Sequence, residues 1–242
     1  MTFSSDASGA ADAALLGHCP LFAGVSESDL TDLARHLRRH RYRRGEVIFH
    51  QGDPGDALHV VASGAVKISL PSPEGEEAII ATVRTGDFFG ELSVLDTAPR
   101  SATATAVEPT ETLSLHRDPF LEELGRNVAL RDALLHALAG ELRRLTGHVE
   151  ELHFLNLAGR LASRLVRLAQ EANSAPERGP DGVMSATLDW PFTQSELAAM
   201  IGGTRQSVNR LLSELVDRGL VRIEHETLVI PDLDLLERDA AR

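Results

Sequence analysis

Cysteine is nearly absent: the 242 residues hold one, Cys19. That excludes an intrachain disulfide framework, an all-cysteine zinc site and a cysteine-ligated iron–sulfur cluster. Long apolar runs are absent too. No stretch approaches the roughly 20 residues of a membrane span, so no membrane partner is expected. The opening residues, MTFSSDASGAADAALLG, lack the basic and apolar blocks of a secretory signal. With the solitary cysteine, this makes a reducing cytoplasm the expected setting. An excess of bases is also missing, since 24 Lys and Arg stand against 36 Asp and Glu, a net charge of −12. A polybasic coat is thereby excluded, and any nucleic-acid contact must come from a local face. No H-E-x-x-H pair, Walker A loop or nucleophile elbow occurs. None of the ten histidines stands out by spacing as a haem ligand. An enzyme is therefore not expected, nor a metal, haem or iron–sulfur cluster.

What is present is ordinary globular material, 43% hydrophobic and 25% charged, enough for one large domain or two small ones. The chain changes character three times. From about Leu21 to His116, glycines separate short β-prone runs such as Val47–His50, Leu58–Ala62, Ala65–Leu70, Ala78–Val83 and Ala102–Val107. Turn signals at that rhythm predict a small barrel or sandwich. A helix capped by Ser26 is predicted ahead of it, over Ser28–Leu37. From about Val128 to Phe154 the pattern is helical. Leu135, Leu138, Leu142, Leu145, Val149 and Leu152 are spaced 3, 4, 3, 4, 3. That spacing is the seam of a short coiled coil, hence a homodimer, although an amphipathic helix lying on its own core shares part of the pattern. Beyond Asn156 come an amphipathic helix over Leu157–Leu168, a loop at Asn173–Gly182, two short helices and a hairpin at Leu220–Ile230. The run Arg35–Arg44 reads as a solvated edge between helix and strand, with a basic contact surface as the alternative.

The stretch Gly90–Ala106, GELSVLDTAPRSATATA, carries the first chemistry. Gly90 permits a tight turn after Phe88-Phe89, and Glu91–Leu95 can begin a short helix whose free N–H groups suit an anion. Arg100 and Ser101 follow. A buried phosphate diester needs a paired cation and hydrogen-bond donors, and a guanidinium supplies several donors in a fixed fork. A nearby carboxylate accepts from sugar hydroxyls instead. Together these residues suit a nucleotide with one phosphate charge and a free ribose hydroxyl. A Glu and an Arg by themselves far more often mark a surface loop with a solvated Arg and a capping Glu.

The stretch resembles the phosphate-binding cassette of cyclic-nucleotide-binding domains, a Gly-Glu-Leu turn followed by Arg-Ser-Ala. The glycine rhythm upstream is similar to that family's β-roll, and the likeness continues through the long helix to the C-terminus. As a whole, the chain resembles transcription regulators of the catabolite activator protein (CRP/FNR) superfamily. The resemblance implies that Gly90 and Leu92 offer backbone groups to the ligand, that Glu91 binds the ribose 2′-hydroxyl, and that Arg100 and Ser101 hold the cyclic phosphate. Ile68 and Ile80 fall where the family walls the base. Two adjacent polar residues on the family's long helix contact adenine, one across the dimer. The matching positions here are Leu145, which cannot hydrogen-bond a base, and Thr146, which can.

The second motif is Thr193–Leu220, TQSELAAMIGGTRQSVNRLLSELVDRGL. Thr193 and Glu196 form a capping box opening a helix to Ile201. Gly202-Gly203 ends it, and Thr204 caps a second helix to about Asp217. Leu197 and Ile201 can face Val208, Leu211, Leu212 and Leu215, which makes a helix-turn-helix. Arg205, Gln206, Asn209 and Arg210 lie at the start of the second helix on its outer face, where such helices reach base edges. Thr193, Gln194, Thr204 and Ser207 are candidates for phosphate contacts. The family carries Glu where Gln206 stands, so its operator is not carried over: glutamate accepts from cytosine, whereas glutamine favours adenine.

The expected fold is α+β. Residues 1–20 form an N-terminal tail, 21–124 a cyclic-nucleotide-binding double-stranded β-helix (β-roll), 125–158 a long dimerisation helix and 159–242 a winged helix-turn-helix. The expected function is a dimeric, sequence-specific DNA-binding regulator controlled by cAMP or cGMP, with double-stranded DNA and RNA polymerase as partners. The alternative is the same architecture acting without a cyclic nucleotide or with another effector.

Overall fold

The computed structural model describes residues 5–72, 77–171, 177–179, 182–189, 193–224 and 227–240. They form two compact units, Met1–Arg143 and Arg144–Arg242.

The first unit opens with α1 (Ser5–His18), a 3₁₀ turn at Pro20–Phe22 and α2 (Glu27–Ala34). The strands β1 (Leu37–Tyr42), β2 (Val47–Phe49), β3 (Ala57–Ser63), β4 (Ala65–Pro71), β5 (Glu77–Arg84) and β6 (Phe88–Phe89) follow. Next come α3 (Glu91–Asp96), β7 (Thr103–Ala106), β8 (Thr110–His116) and α4 (Arg117–Arg126). The long helix α5 (Val128–Phe154) completes this part of the chain and continues into the second unit. The strands make two antiparallel four-stranded sheets, ordered β1-β8-β3-β6 and β2-β7-β4-β5, so the expected β-roll is present.

Strand period 2 explains how β3 serves both cores. Leu58 and Val60 join a cluster with Leu16, Phe22, Leu30, Leu115, Phe120 and Leu130. The alternate residue Val61 joins Val66, Phe89 and Ala104, against which Ile48, Phe49, Ile68 and Val83 pack. Within the stretch expected as a tail, Ser5–His18 is helical and sends Ala13 and Leu16 into the first cluster. Asp12 ties it to Arg39 of β1.

The structure corrects one boundary. Ser26 does cap a helix, accepting from Asp29 N at 3.2 Å, but α2 ends at Ala34 and Leu37 already begins β1. The arginine run is, as expected, an exposed edge that leads from α2 into a strand paired with β8, and within it Arg39 and Arg41 each meet Glu111 at 2.6 Å. Charges on an edge strand also discourage pairing with other chains.

The second unit adds α6 (Leu157–Glu171), β9 (Glu177–Arg178), β10 (Met184–Asp189), α7 (Gln194–Ile201) and α8 (Arg205–Asp217). It closes with β11 (Arg222–Glu224), β12 (Thr227–Ile230) and α9 (Leu233–Ala240). Its sheet runs β11-β12-β10-β9, so the predicted hairpin is a wing built onto two further strands. The predicted loop at Asn173–Gly182 lies mostly outside the described residues; Glu177–Arg178 within it is strand. Asn156 caps α6, accepting from Gly159 N at 2.9 Å. Glu151 near the end of α5 accepts from Ser163 Oγ at 2.9 Å and from Arg167, which joins α5 to α6 across their bend. No described helix is long and apolar enough to cross a membrane.

Candidate functional site

The turn at Phe89–Gly90 begins the first site. Gly90 has φ 78°, a left-handed conformation that a side chain strains. A Cβ there would also lie 2.6 Å from the Arg100 guanidinium. Glycine thus serves both the turn and the close approach of Arg100.

Arg100 is only 5% exposed. Its backbone is pinned in both directions to the loop before β3: Arg100 N donates to Asp53 O (2.8 Å) and Gly52 N to Arg100 O (2.9 Å). Its side chain donates from Nη1 to Gly90 O (2.7 Å) and from Nη2 to Ala57 O (2.8 Å). Its Nε is buried without a hydrogen-bond partner among the described residues. Burial lowers the pKa of the guanidinium from its ordinary value. A buried cation with an orphaned donor is costly unless an anion meets it. Glu91 opens α3 beside it. Burial raises the pKa of its carboxyl, Glu141 raises it further and Arg100 opposes.

The remaining cassette residues are more open. Ser101 follows Arg100 on the surface, and Leu92 is 43% exposed. Ile68 on β4 packs into the second cluster with Phe49. Ile80 on β5 falls where the β4–β5 register slips between Ile68 and Ser69, and it is half-buried. The structure thus gathers Gly90, Glu91 and Arg100, and it packs Ile68 on the same buried cluster as Phe49, the ring under Arg100. Thr146 is exposed on α5 in the second unit, next to Leu145.

Sequence reasoning missed an aromatic cluster beneath this site. The Arg100 guanidinium carbon lies 4.2 Å from the Phe49 ring centroid. His59 stacks on Phe89 at 5.1 Å and 15°, and lies 5.9 Å from Phe49. Phe49, His59 and Phe89 come from three separate strands, so no local spacing announces them. Burial lowers the His59 pKa to about 3, with Arg100 contributing. The unfolded chain therefore takes up a proton first as the pH falls. The stability that the neutral ring provides is present above about 6.5 and is lost as the pH drops toward about 3. Between pH 7 and pH 5 this difference amounts to about 2 kcal/mol. Urea denaturation followed by circular dichroism should show the native chain losing about that much more than His59→Phe. Equal losses would contradict the assignment.

The second site is the helix pair of the second unit. Thr193 accepts from Glu196 N at 3.2 Å while its own N donates to Glu196 Oε2 at 2.7 Å, completing the predicted capping box. Gly202 ends α7 at φ 67°, and Thr204 caps α8 by accepting from Ser207 N at 3.2 Å. Leu197, Ile201, Val208, Leu211, Leu212 and Leu215 are all buried between the helices and their neighbours. Arg160 of α6 donates to Ile201 O at 2.8 Å and fixes the turn. Arg205, Gln206, Asn209 and Arg210 are all exposed, as are Thr193 and Thr204; Gln194 and Ser207 are half-buried. The four outer residues are not equivalent. Asn209 Oδ1 accepts from Gln194 Nε2 at 3.2 Å, and Arg210 pairs with Glu214 at 2.5 Å. Arg205 and Gln206 have no side-chain partner among the described residues.

A third feature is the face of α5. Leu135 (63%), Leu142 (66%), Val149 (55%) and Leu152 (44%) are exposed along the 3-4 repeat, and Leu145 (38%) with them. Leu138 is the exception and packs on the first cluster. No group of three or more potential metal ligands occurs among the described residues.

Comparison with known proteins finds a match for each part of the chain. A family described as the cyclic nucleotide-binding domain matches residues 39–127, and the Crp-like helix-turn-helix domain matches residues 159–239. The chain is 33% identical over 226 residues to a CRP-like cAMP-activated global transcriptional regulator of Mycobacterium tuberculosis, covering 93% of this chain and 98% of the relative. It is 34% identical over 221 residues to the cyclic AMP receptor protein of Thermus thermophilus, covering 91% and 96%. Among solved structures, the catabolite activator protein of Thermus thermophilus is 33% identical with a TM-score of 0.51, covering 92% of this chain and 98% of that one. FixK2 from Bradyrhizobium japonicum shares the fold at a TM-score of 0.73 and 23% identity, covering 84% and 96%.

Proposed function

Because this chain belongs to the CRP/FNR family of transcription regulators, we propose that it is a homodimeric, sequence-specific DNA-binding regulator whose grip on its operator is set by a cyclic nucleotide, cAMP first. The observation that carries the nucleotide reading is Arg100: a buried guanidinium held by two carbonyls, with its Nε–H unmet among the described residues, in a Gly-Glu-Leu…Arg-Ser cassette. In this reading Arg100 and Ser101 take the cyclic phosphate, and Glu91 takes the ribose hydroxyl. Gly90 and Leu92 supply backbone groups, Ile68 and Ile80 flank the base, and Thr146 reaches it from the long helix. Relatives named as cAMP-activated regulators support the choice of ligand.

The exposed leucine face of α5 pairs two copies. Residues 21–124 then act as sensor, 125–158 as dimerisation helix and 159–242 as reader. A ligand that binds one dimer arrangement better shifts the population toward it. In that arrangement the two α8 helices sit about 34 Å apart on successive major-groove turns of a pseudo-palindromic site. Arg205 and Gln206 read bases and Asn209 and Arg210 extend the contact. Thr193, Gln194, Thr204 and Ser207 set register on phosphates. Such a protein works in the cytoplasm and acts through RNA polymerase.

One observation favours a second reading. Leu145 puts an apolar residue where the family's cAMP receptors hydrogen-bond the base, so the same architecture could answer to another effector or to none. Calorimetry with cAMP and cGMP decides between them. Saturable binding of either to the wild type supports the first reading. Binding of neither, with full-strength footprints from nucleotide-free protein, supports the second.

A further inference from the structure

We propose that Phe49 is a positioning residue for Arg100: its ring face fixes the plane of the guanidinium that receives the phosphodiester. The role rests on the cyclic-nucleotide reading given above.

Four observations converge on one guanidinium. Its carbon lies 4.2 Å from the Phe49 centroid, within the range of a cation–π contact. Nη1 and Nη2 are each fixed by a carbonyl, Gly90 O and Ala57 O. A Cβ at Gly55 would fall 2.7 Å from Nε and 2.8 Å from the guanidinium carbon, so a glycine there lets the backbone lie against one side of this group. The β2–β7 register slips between Val47 and Phe49, a bulge of the kind that re-aims a side chain.

The ring is itself held. Phe89 lies 5.8 Å away at 37° and His59 5.9 Å away at 45°. His59 stays neutral at ordinary pH, because burial and Arg100 both lower its pKa, and so it adds no repelling charge beside the guanidinium. Two carbonyls fix where the guanidinium nitrogens go. A flat ring adds what they lack, a fixed tilt of the plane. Leucine fills comparable space but offers no negative ring face to a cation.

The test uses the full-length protein with Phe49→Leu, Phe49→Met and Phe49→Tyr. Calorimetry with cAMP should show the two aliphatic variants binding roughly three- to thirty-fold more weakly than wild type, the range that a desolvated cation–π contact spans. Phe49→Tyr keeps the ring and should stay within about twofold, since its face is retained. A structural role alone would not move the second readout, the Arg100 Nε–H proton resonance of nucleotide-free protein. In the wild type and Phe49→Tyr it should be shifted upfield of other arginines by the ring current, and in Phe49→Leu and Phe49→Met it should return to the ordinary position. Wild-type affinity in a folded aliphatic variant, equal weakening in Phe49→Tyr, or an unshifted Nε–H would each overturn the role. A wild type that binds no cyclic nucleotide overturns the underlying reading instead, and the proton shift then reports the packing by itself.

Discussion

Arg100→Ala is expected to weaken cAMP binding by roughly two to four orders of magnitude, the 3–5 kcal/mol that follows removal of one partner from a buried charge pair. Arg100 is nearly enclosed, and Gly90 O and Ala57 O take only one N–H each from Nη1 and Nη2, which leaves Nε–H and the second N–H of each Nη for an anion. Alanine removes the cation and the fork together, so the phosphodiester is desolvated without compensation. It also strands two carbonyls, at about 1–3 kcal/mol of stability for an unmet buried group. A thermal melt beside the calorimetry separates the two effects. Arg100→Lys keeps the charge but not the planar fork. It should fall between, losing roughly tenfold, because an ammonium cannot hold both carbonyls and still present a fixed face to phosphate. An alanine variant that binds within threefold of wild type would contradict the placement of the phosphate.

The second large effect belongs to the face of α5. Leu142 and Val149 are 66% and 55% exposed, so replacing both with aspartate costs the protomer little. In a paired seam each contributes roughly 1.5–3 kcal/mol by burial, and a buried carboxylate adds its own penalty. Leu142→Asp/Val149→Asp should therefore weaken dimerisation by roughly a thousandfold or more. Sedimentation equilibrium at micromolar protein should find the wild type as a dimer and the variant as a monomer. Operator binding should fall with it, since a two-half-site contact needs both readers. A variant that remains dimeric would move the interface elsewhere on the surface.

Much of this was legible because the signals are local. The helix caps at Ser26, Thr193 and Thr204 depend on residues three apart, and all three are made. The 3-4 repeat of α5 is local too, and it marks the helix face that is largely exposed. Gly90 and Arg100 are only ten residues apart, and the cassette that joins them reads directly. What was hidden depends on distant residues. The strand Leu37–Tyr42, written LRRHRY, looks like a solvated run until Asp12 and Glu111 are seen to neutralise Arg39 and Arg41. Helix α1 is rich in alanine, serine and glycine and has little apolar period of its own; Ala13 and Leu16 seat it on the first core. Phe49, His59 and Phe89 meet only because β2, β3 and β6 come together in the roll, and no spacing along the chain reports that. The inequality among the outer residues of α8 is likewise tertiary, since Asn209 is engaged by Gln194 fifteen positions earlier.

The most direct measurement is the affinity of the protein for its own selected oligonucleotide, by fluorescence anisotropy at fixed salt, with and without saturating cAMP. Coupling between the amino-terminal pocket and the reader predicts roughly tenfold or greater tightening with nucleotide, absent in Arg100→Ala. Equal affinity in both conditions, in a wild type that binds cAMP, would contradict it.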